Sequence, residues 1–104
     1  MLFVGINPSV RSATVGHHYA GHGNRFWKLL YESGLITDPL TSSDDRRVVE
    51  WSLRLTNLVT RVIRGVAELT TDDLDTGQRR LLHVLSYWQP HTVVPVGNTV
   101  ARRL

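Results

Sequence analysis

The chain of 104 residues contains no cysteine and a single lysine, and it has no long hydrophobic run. Without cysteine it cannot form a disulfide, a thiolate metal site or a cysteine-ligated iron–sulfur cluster. Its apolar runs stay well below the roughly 20 residues that a membrane-spanning helix needs. Met1 leads directly into an apolar segment with no basic stretch before it, so we expect no signal peptide, no membrane partner and a cytosolic location.

What the chain does contain is typical of one globular domain with a modest core, because 41% of its residues are hydrophobic. The net charge is +3, and the excess comes from arginine, since Lys28 is the only lysine. Arginine binds phosphate in a bidentate manner, so a nucleic-acid partner is one interpretation of this charge. Ordinary solubility charge is the other.

The first segment predicts a buried strand followed by a polar loop. Leu2–Val4 is short and apolar without alternation, which is typical of a strand inside a parallel sheet. Pro8 ends this strand, and we predict a long loop over residues 9–23. Groups that follow a parallel strand lie at the carboxyl edge of the sheet, where open α/β sheets bind their ligands.

Caps and turn residues divide the rest of the chain into alternating helices and strands. The predicted elements are a helix from Asn24 to Gly34, a helix capped by Ser42 or Ser43, a strand over 53–59, a connection over 62–69, a helix from Thr70 or Thr71 to Pro90, a strand over 92–96 and a helix over 99–104. Pro95 lies inside the last strand, which favours an edge position or a bulge. The alternation predicts a three-layer α/β/α fold with a short parallel sheet.

Four segments occur in an informative order: GINPS (Gly5–Ser9), GHHYAGHGNRFW (Gly16–Trp27), LTNLVTR (Leu55–Arg61) and YWQPHTVVPVGN (Tyr87–Asn98). Together they resemble the mismatch-specific uracil-DNA and thymine-DNA glycosylases of the uracil-DNA glycosylase superfamily. GINP followed at this spacing by GHHY and GNRFW is the most specific part. The resemblance implies an enzyme of base-excision repair that is cytoplasmic and associated with the bacterial nucleoid. It would hydrolyse the N-glycosidic bond of a flipped-out uracil or related pyrimidine in double-stranded DNA with a G·U or G·T mismatch.

The resemblance also implies roles for individual residues. Asn7 matches the asparagine that holds the attacking water, and Tyr19 matches the aromatic residue that stacks on the extruded base. The other implied base-binding residues are Ile6, Ser12, His18 and Asn57. We further predict DNA contacts by Arg25, Arg61 and Arg64. No cofactor is expected, and no metal, because His17, His18 and His22 have no evident fourth ligand.

The family pattern continues beyond the end of this chain. The resemblance implies a further strand, a loop of the NPSG type that wedges into the duplex and a final helix, none of which follows Leu104. We therefore expect residues 1–104 to be a single glycosylase-like domain that lacks its last strand and helix. Such an enzyme would be a monomer when complete, whereas the fragment could associate. Two further departures are Ser9, where the family has glycine, and Val62, where it commonly has proline or threonine.

Plainer interpretations exist for each of these signals. Asn7 could be an ordinary turn asparagine before proline, and Tyr19 a half-buried loop aromatic. For the chain as a whole, the alternatives are a catalytically inactive DNA- or nucleotide-binding fragment of such an enzyme and a small-molecule-binding α/β domain. Chemistry alone permits the enzymatic interpretation, because a carboxamide can orient a water molecule although it is not a strong base.

Overall fold

The structure is a computed structural model that describes residues 1–21, 23–62 and 68–104. Its elements are β1 (Leu2–Gly5), α1 (Val10–Val15), α2 (Phe26–Glu32), a 3₁₀ helix (Ser42–Trp51), β2 (Arg54–Asn57), α3 (Thr71–Trp88), β3 (Val93–Pro95) and α4 (Asn98–Ala101). None of these helices is both long enough and apolar enough to cross a membrane.

The three strands form one parallel sheet in the order β2-β1-β3. β1 lies in the centre, and all of its residues are buried, as expected for an uninterrupted apolar run that is covered on both faces. Leu2 pairs with Arg54 of β2 on one side and with Val93 of β3 on the other. β3 is an edge strand of this sheet, which confirms the edge position predicted for Pro95.

Helices cover both faces of the sheet. Because successive side chains of a strand point to opposite faces, the apolar residues of β1 serve two separate cores. Phe3 packs in one core with Trp27 of α2. Leu2 and Val4 pack in the other core with Leu81 of α3. The predicted α/β fold, with a short parallel sheet between helical layers, is confirmed.

The longest helix, α3, begins and ends at the predicted signals. Thr70 is its N-cap: the Thr70 hydroxyl accepts a hydrogen bond from the Asp73 backbone N–H at 3.0 Å, and the Asp73 carboxylate accepts one from the Thr70 N–H at 3.0 Å. The helix ends at Gln89, which has a left-handed conformation and directly precedes Pro90. Local capping therefore defines both ends of this element.

The prediction of an uninterrupted loop over residues 9–23 is wrong, because α1 lies within it. Ser9 caps α1 by accepting a hydrogen bond from the Ser12 backbone N–H at 3.0 Å, and Gly16 ends it with a φ of 75°. A helix of only six residues has too little apolar periodicity to be recognised from its pattern. The serine and the glycine at its two ends were its only sequence signals.

Several other boundaries differ from the prediction by a few residues. The second helix is a 3₁₀ helix, β2 covers only four residues of the predicted strand over 53–59, and α4 is Asn98–Ala101 rather than 99–104. The N-cap of α2 is Arg25, although the side chain of Asn24 still accepts a hydrogen bond from the Phe26 N–H at 2.9 Å. Most of the predicted connection over 62–69 lies outside the described residues.

Candidate active site

A polar cleft of about 170 Å³ lies at the carboxyl end of β1. It is lined by Gly5, Ile6, Asn7, Ser9, Ser12, His18, Tyr19, Asn24, Asn57 and Val96. The structure thus brings together every residue predicted as catalytic or base-binding, namely Ile6, Asn7, Ser12, His18, Tyr19 and Asn57. Their individual roles stay predictions, since proximity alone assigns no chemistry. The position matches the edge of the sheet where open α/β folds bind ligands.

A larger cavity of about 570 Å³ adjoins this cleft. It shares Tyr19, Asn24 and Val96 with the cleft, but most of its lining consists of apolar side chains from α2 and the β3 edge. Arg25 is its one titratable group apart from Tyr19, within the part of the chain that the structure describes. By size alone, the larger cavity would be the better candidate for a ligand site. The groups that can take part in catalysis, however, lie in the smaller cleft.

Asn7 occupies the floor of the cleft directly after β1. The Val59 N–H donates to the carbonyl oxygen of Ile6 at 2.8 Å, so backbone pairing continues to the residue before Asn7. The Asn7 side-chain amide donates to the carbonyl oxygen of Pro8 at 3.0 Å. Its Oδ1 atom has no hydrogen-bond partner among the described residues. This oxygen is therefore an open acceptor, which can hold a water molecule or another donor.

Ser12 is buried and connects α1 to the following loop. Its hydroxyl oxygen accepts a hydrogen bond from the backbone N–H of Ala20 at 3.0 Å. The hydroxyl hydrogen is left for another acceptor, since a serine hydroxyl both accepts and donates. Ser12 thus holds the loop that carries His18 and Tyr19, and it can still reach a ligand in the cleft.

Tyr19 stands at the end of a short aromatic stack. Its ring lies parallel to that of Phe26, with centroids 3.8 Å apart and an interplanar angle of 13°. Phe26 packs edge-on against Phe3 and Trp27, which anchors the stack in the core. Because Phe26 covers one face of the Tyr19 ring, only the opposite face is available to a planar ligand. The backbone of Tyr19 has a φ of 53°, a conformation that side-chain packing must hold in place.

The Tyr19 hydroxyl, Asn57 and Gly5 meet at the end of β1. A Cβ atom on Gly5 would lie 2.7 Å from the Asn57 Oδ1 atom and 2.9 Å from the Tyr19 hydroxyl oxygen. Glycine is therefore required at this position for both side chains to reach the cleft. The Tyr19 hydroxyl is buried and has no hydrogen-bond partner in the described part of the chain. Burial raises the pKa of Tyr19 to about 12, so the hydroxyl stays protonated at neutral pH.

His18 contributes a neutral imidazole to the cleft. Burial lowers the pKa of His18 from its usual value, and the carboxylate of Asp45 offsets this effect only in part. A neutral imidazole offers one donor and one acceptor. No Asp or Glu is among the described residues that line the cleft, so its polar groups are amides, hydroxyls and this imidazole.

Asp45 is a site residue that sequence reasoning missed, because its position suggested only a favourable charge at a helix start. Its side chain is buried, with 6% of the residue exposed. One carboxylate oxygen lies 3.1 Å from Nδ1 of His17, and the other accepts a hydrogen bond from the His18 N–H at 2.8 Å. These contacts join residues 27 and 28 positions apart, which no local pattern indicates.

Arg80 of α3 contacts the site from outside the lining of the cleft. The half-buried guanidinium donates a hydrogen bond to the backbone carbonyl of Asn57 at the end of β2. It lies one turn after Gly77, where α3 packs closely against Leu58, the residue directly after β2. Arg80 therefore supports the strand end that carries Asn57 into the cleft.

The three arginines predicted to contact DNA differ in their surroundings. Arg25 is exposed at the start of α2, borders the larger cavity and forms no ion pair in the described residues. Arg61 instead pairs with Asp73 at 2.7 Å and donates to the carbonyl oxygen of Glu68 at 3.0 Å. This guanidinium holds the pKa of Asp73 well below its usual range. Arg64 lies outside the described residues, and all three DNA contacts stay predictions.

The described residues include no group of three or more His, Asp or Glu side chains that could hold a metal ion. His22, which contributes to the histidine-rich segment, lies outside the described residues.

The fold and the cleft together define a class of α/β protein. A parallel sheet presents an asparagine, one face of a tyrosine ring and neutral hydrogen-bonding groups in a single small cleft, which suits a planar, polar and uncharged ligand. The chain matches the model of the Uracil DNA glycosylase superfamily over residues 1–104. It belongs to that superfamily. Membership supports a glycosylase, a hydrolase that acts on DNA.

Proposed function

We propose that the chain is a mismatch-directed uracil-DNA glycosylase of the uracil/thymine-DNA glycosylase type. Its substrate would be double-stranded DNA with a G·U or G·T mismatch, and it would hydrolyse the N-glycosidic bond of the uracil or a related pyrimidine. The observation that carries this proposal is the convergence of Asn7, Tyr19 and Asn57 in one cleft at the carboxyl edge of the sheet.

The open Oδ1 atom of Asn7 is the group proposed to hold the attacking water. A carboxamide is too weak a base to deprotonate water fully, but it can accept a hydrogen bond and so orient the water's lone pair. This suffices because the transition state of glycosidic cleavage resembles an oxocarbenium ion, which is strongly electrophilic. Since no described carboxylate lines the cleft, we expect slow turnover and a preference for bases that are good leaving groups.

The departing pyrimidine accumulates negative charge on its ring, and the proposed site stabilises it with neutral donors. The amide of Asn57 and the uncharged imidazole of His18 both border the cleft. Fixed donors in a partly dry site stabilise developing charge more strongly than water does, because they need no reorganisation. We propose that these two side chains bind the polar edge of the base.

Tyr19 is proposed to support the extruded base through the ring face opposite Phe26. Flipping a nucleotide out of the duplex costs a few kcal/mol, and least at a mismatch, which favours mismatched substrates. Stacking on an aromatic ring returns about 1–3 kcal/mol per base. Because Phe26 already supports the other face of the ring, the stacking platform is in place before the base arrives.

The proposal is tested by single-turnover excision of uracil from a G·U duplex, comparing the wild type with Asn7→Ala. We expect Asn7→Ala to reduce the rate by at least about 100-fold, since positioned acid–base groups contribute 10²–10⁴-fold. Asn98→Ala is the matched control, because Asn98 is exposed in α4 and does not line the cleft. Full activity in Asn7→Ala would refute the role of Asn7, and DNA binding without any excision would instead support the inactive DNA-binding alternative.

A further inference from the structure

Asp45 is an unusual group for its position. It is the most fully buried ionisable residue in the described part of the chain, and no lysine or arginine there lies within ion-pair distance of it. Burying a carboxylate costs several kcal/mol unless hydrogen bonds replace its water. Both of its oxygens are in fact engaged, one with His17 and one with the His18 N–H. The two partners precede Tyr19 directly.

The peptide groups on either side of Tyr19 are held by hydrogen bonds to several other residues. The His18 N–H donates to Asp45, and the carbonyl oxygen of His18 accepts a hydrogen bond from the Trp27 indole at 3.2 Å. Ser12 holds the N–H of Ala20, the residue after Tyr19. Between these fixed points, Tyr19 adopts its left-handed backbone conformation. Such a conformation is disfavoured for a bulky residue and persists only when its neighbours impose it.

We infer that Asp45 is a positioning residue of the cleft, whose carboxylate fixes the turn that presents His18 and Tyr19 to the ligand. It does not itself border the cleft, so it acts through these two residues. The inference rests on the proposed function, because it assigns to Asp45 the geometry on which base stacking and edge recognition depend.

Substituting Asp45 by asparagine and by alanine separates the effect of its hydrogen bonds from the effect of its charge. In Asp45→Asn, the amide oxygen can still accept from the His18 N–H, and the amide N–H can donate to the His17 ring nitrogen. Both links therefore survive without the charge. In Asp45→Ala both are lost, and the turn is free to relax. Asp38→Asn is the charge-matched control, because Asp38 is exposed and, among the residues that the structure describes, pairs only with Arg47.

We expect Asp45→Ala to slow single-turnover excision at saturating DNA by about 100-fold, the loss that a 1 Å misplacement produces. Affinity for a fully paired duplex should change by less than about threefold, because non-specific binding comes essentially from the phosphate backbone and not from the cleft. Asp45→Asn should recover the rate to within a few-fold of the wild type. A general loss of stability would not show this division between rate and affinity, nor the rescue by asparagine. A folded Asp45→Ala protein with the wild-type rate would overturn the inference.

The pH profile gives a second test that does not need Asp45→Ala to fold. The charged and titratable groups that share a cavity lining with His18 are Tyr19, Asp45, Arg46 and Arg54, and His17 contacts Asp45. Of these, the Asp45 carboxylate raises the pKa of His18 against the larger effect of burial. Asp45→Asn should therefore shift the acid limb of the rate profile, the limb that His18→Asn removes, to lower pH. An acid limb that does not move would count against the inference.

Failure of the inference and failure of the proposed function give different results. If the wild type releases no uracil from any duplex, the proposed function is refuted. The positioning role is then read from hydrogen exchange of the His18 amide, which should lose protection in Asp45→Ala and keep it in Asp45→Asn. Equal protection in the wild type and Asp45→Ala would refute the positioning role independently of activity.

Discussion

At the scale of single residues, the cleft depends on a close fit between Gly5 and Tyr19. The Tyr19 hydroxyl reaches the end of β1 only because Gly5 has no Cβ atom, and there it is buried with no hydrogen-bond partner among the described residues. An unpaired buried hydroxyl costs about 1–3 kcal/mol, which the rest of the fold must offset. The ring, by contrast, stabilises the protein through its contact with Phe26.

Tyr19→Phe should therefore raise the free energy of unfolding by about 1 kcal/mol, because it removes an unsatisfied polar atom and keeps the ring. Uracil excision should stay within a few-fold of the wild type, since stacking needs only the ring face. Thermal melting and single-turnover rates measure the two effects. Tyr87→Phe is the control, because Tyr87 is 85% exposed and should show no change. A clear loss of stability in Tyr19→Phe would mean that the hydroxyl has a partner.

His18 should make stability depend on pH. Its pKa is lower in the folded protein than in the unfolded chain because burial disfavours the charged form. As the pH falls below the unfolded pKa of about 6.5, the unfolded state binds a proton that the folded state resists, so stability decreases. We expect the melting temperature of His18→Asn to fall less steeply between pH 7 and 5 than that of the wild type. Parallel curves would contradict this.

The cleft residues divide into those that the sequence reveals and those that it does not. Asn7 and Tyr19 belong to contiguous motifs, so their shared location follows from the motif order. Asp45 and Arg80 act on the cleft across the tertiary structure, through a backbone N–H and a backbone carbonyl. Backbone groups carry no residue signature, and contacts of this kind cannot be recognised before the fold is known.

At the scale of secondary structure elements, local capping and tertiary packing determine different features. The ends of α3 follow from Thr70, Asp73 and Pro90, all visible in the sequence. The packing of α3 against the segment directly after β2 depends instead on Gly77, where any side chain would overlap the carbonyl oxygen of Leu58. A glycine in the middle of a helix suggests weak local propensity from the sequence alone, whereas here it permits close packing.

Gly77→Ala should therefore destabilise the protein, although alanine is favoured in helices by about 1 kcal/mol over glycine. Overpacking of a core contact costs about 1–3 kcal/mol and outweighs this gain. Chemical denaturation measures the net effect. Ser86→Ala, at an exposed position of the same helix, should be neutral or slightly stabilising. A stabilised Gly77→Ala variant would show that α3 can move away from β2 at little cost.

At the scale of the whole molecule, some arginine side chains form ion pairs and others do not. In the part of the chain that the structure describes, Arg47, Arg61 and Arg103 form ion pairs with acidic side chains. Arg25 forms none and lies beside the cleft region. Among the predicted phosphate contacts, Arg25 is therefore the better placed, because Arg61 would have to give up Asp73. The sequence showed the basic excess but not this distribution, which depends on tertiary neighbours.

The position of β1 inside a parallel sheet was predictable because the strand is continuously apolar, as expected where both faces are covered. The two-sided core followed from the alternation of Leu2, Phe3 and Val4 across the sheet. The short helix α1 was not predictable in the same way, because its position depends on caps and on the contacts of Ser12 rather than on an apolar face.

The most direct measurement of the central claim is the reaction of the wild-type protein with a G·U duplex in ¹⁸O-labelled water. If the cleft holds a water molecule against the sugar of an extruded nucleotide, free uracil should appear in equal amount to abasic sites and carry no label, because the water adds to the sugar and not to the base. Release of no uracil, or release with the label on the base, would contradict it.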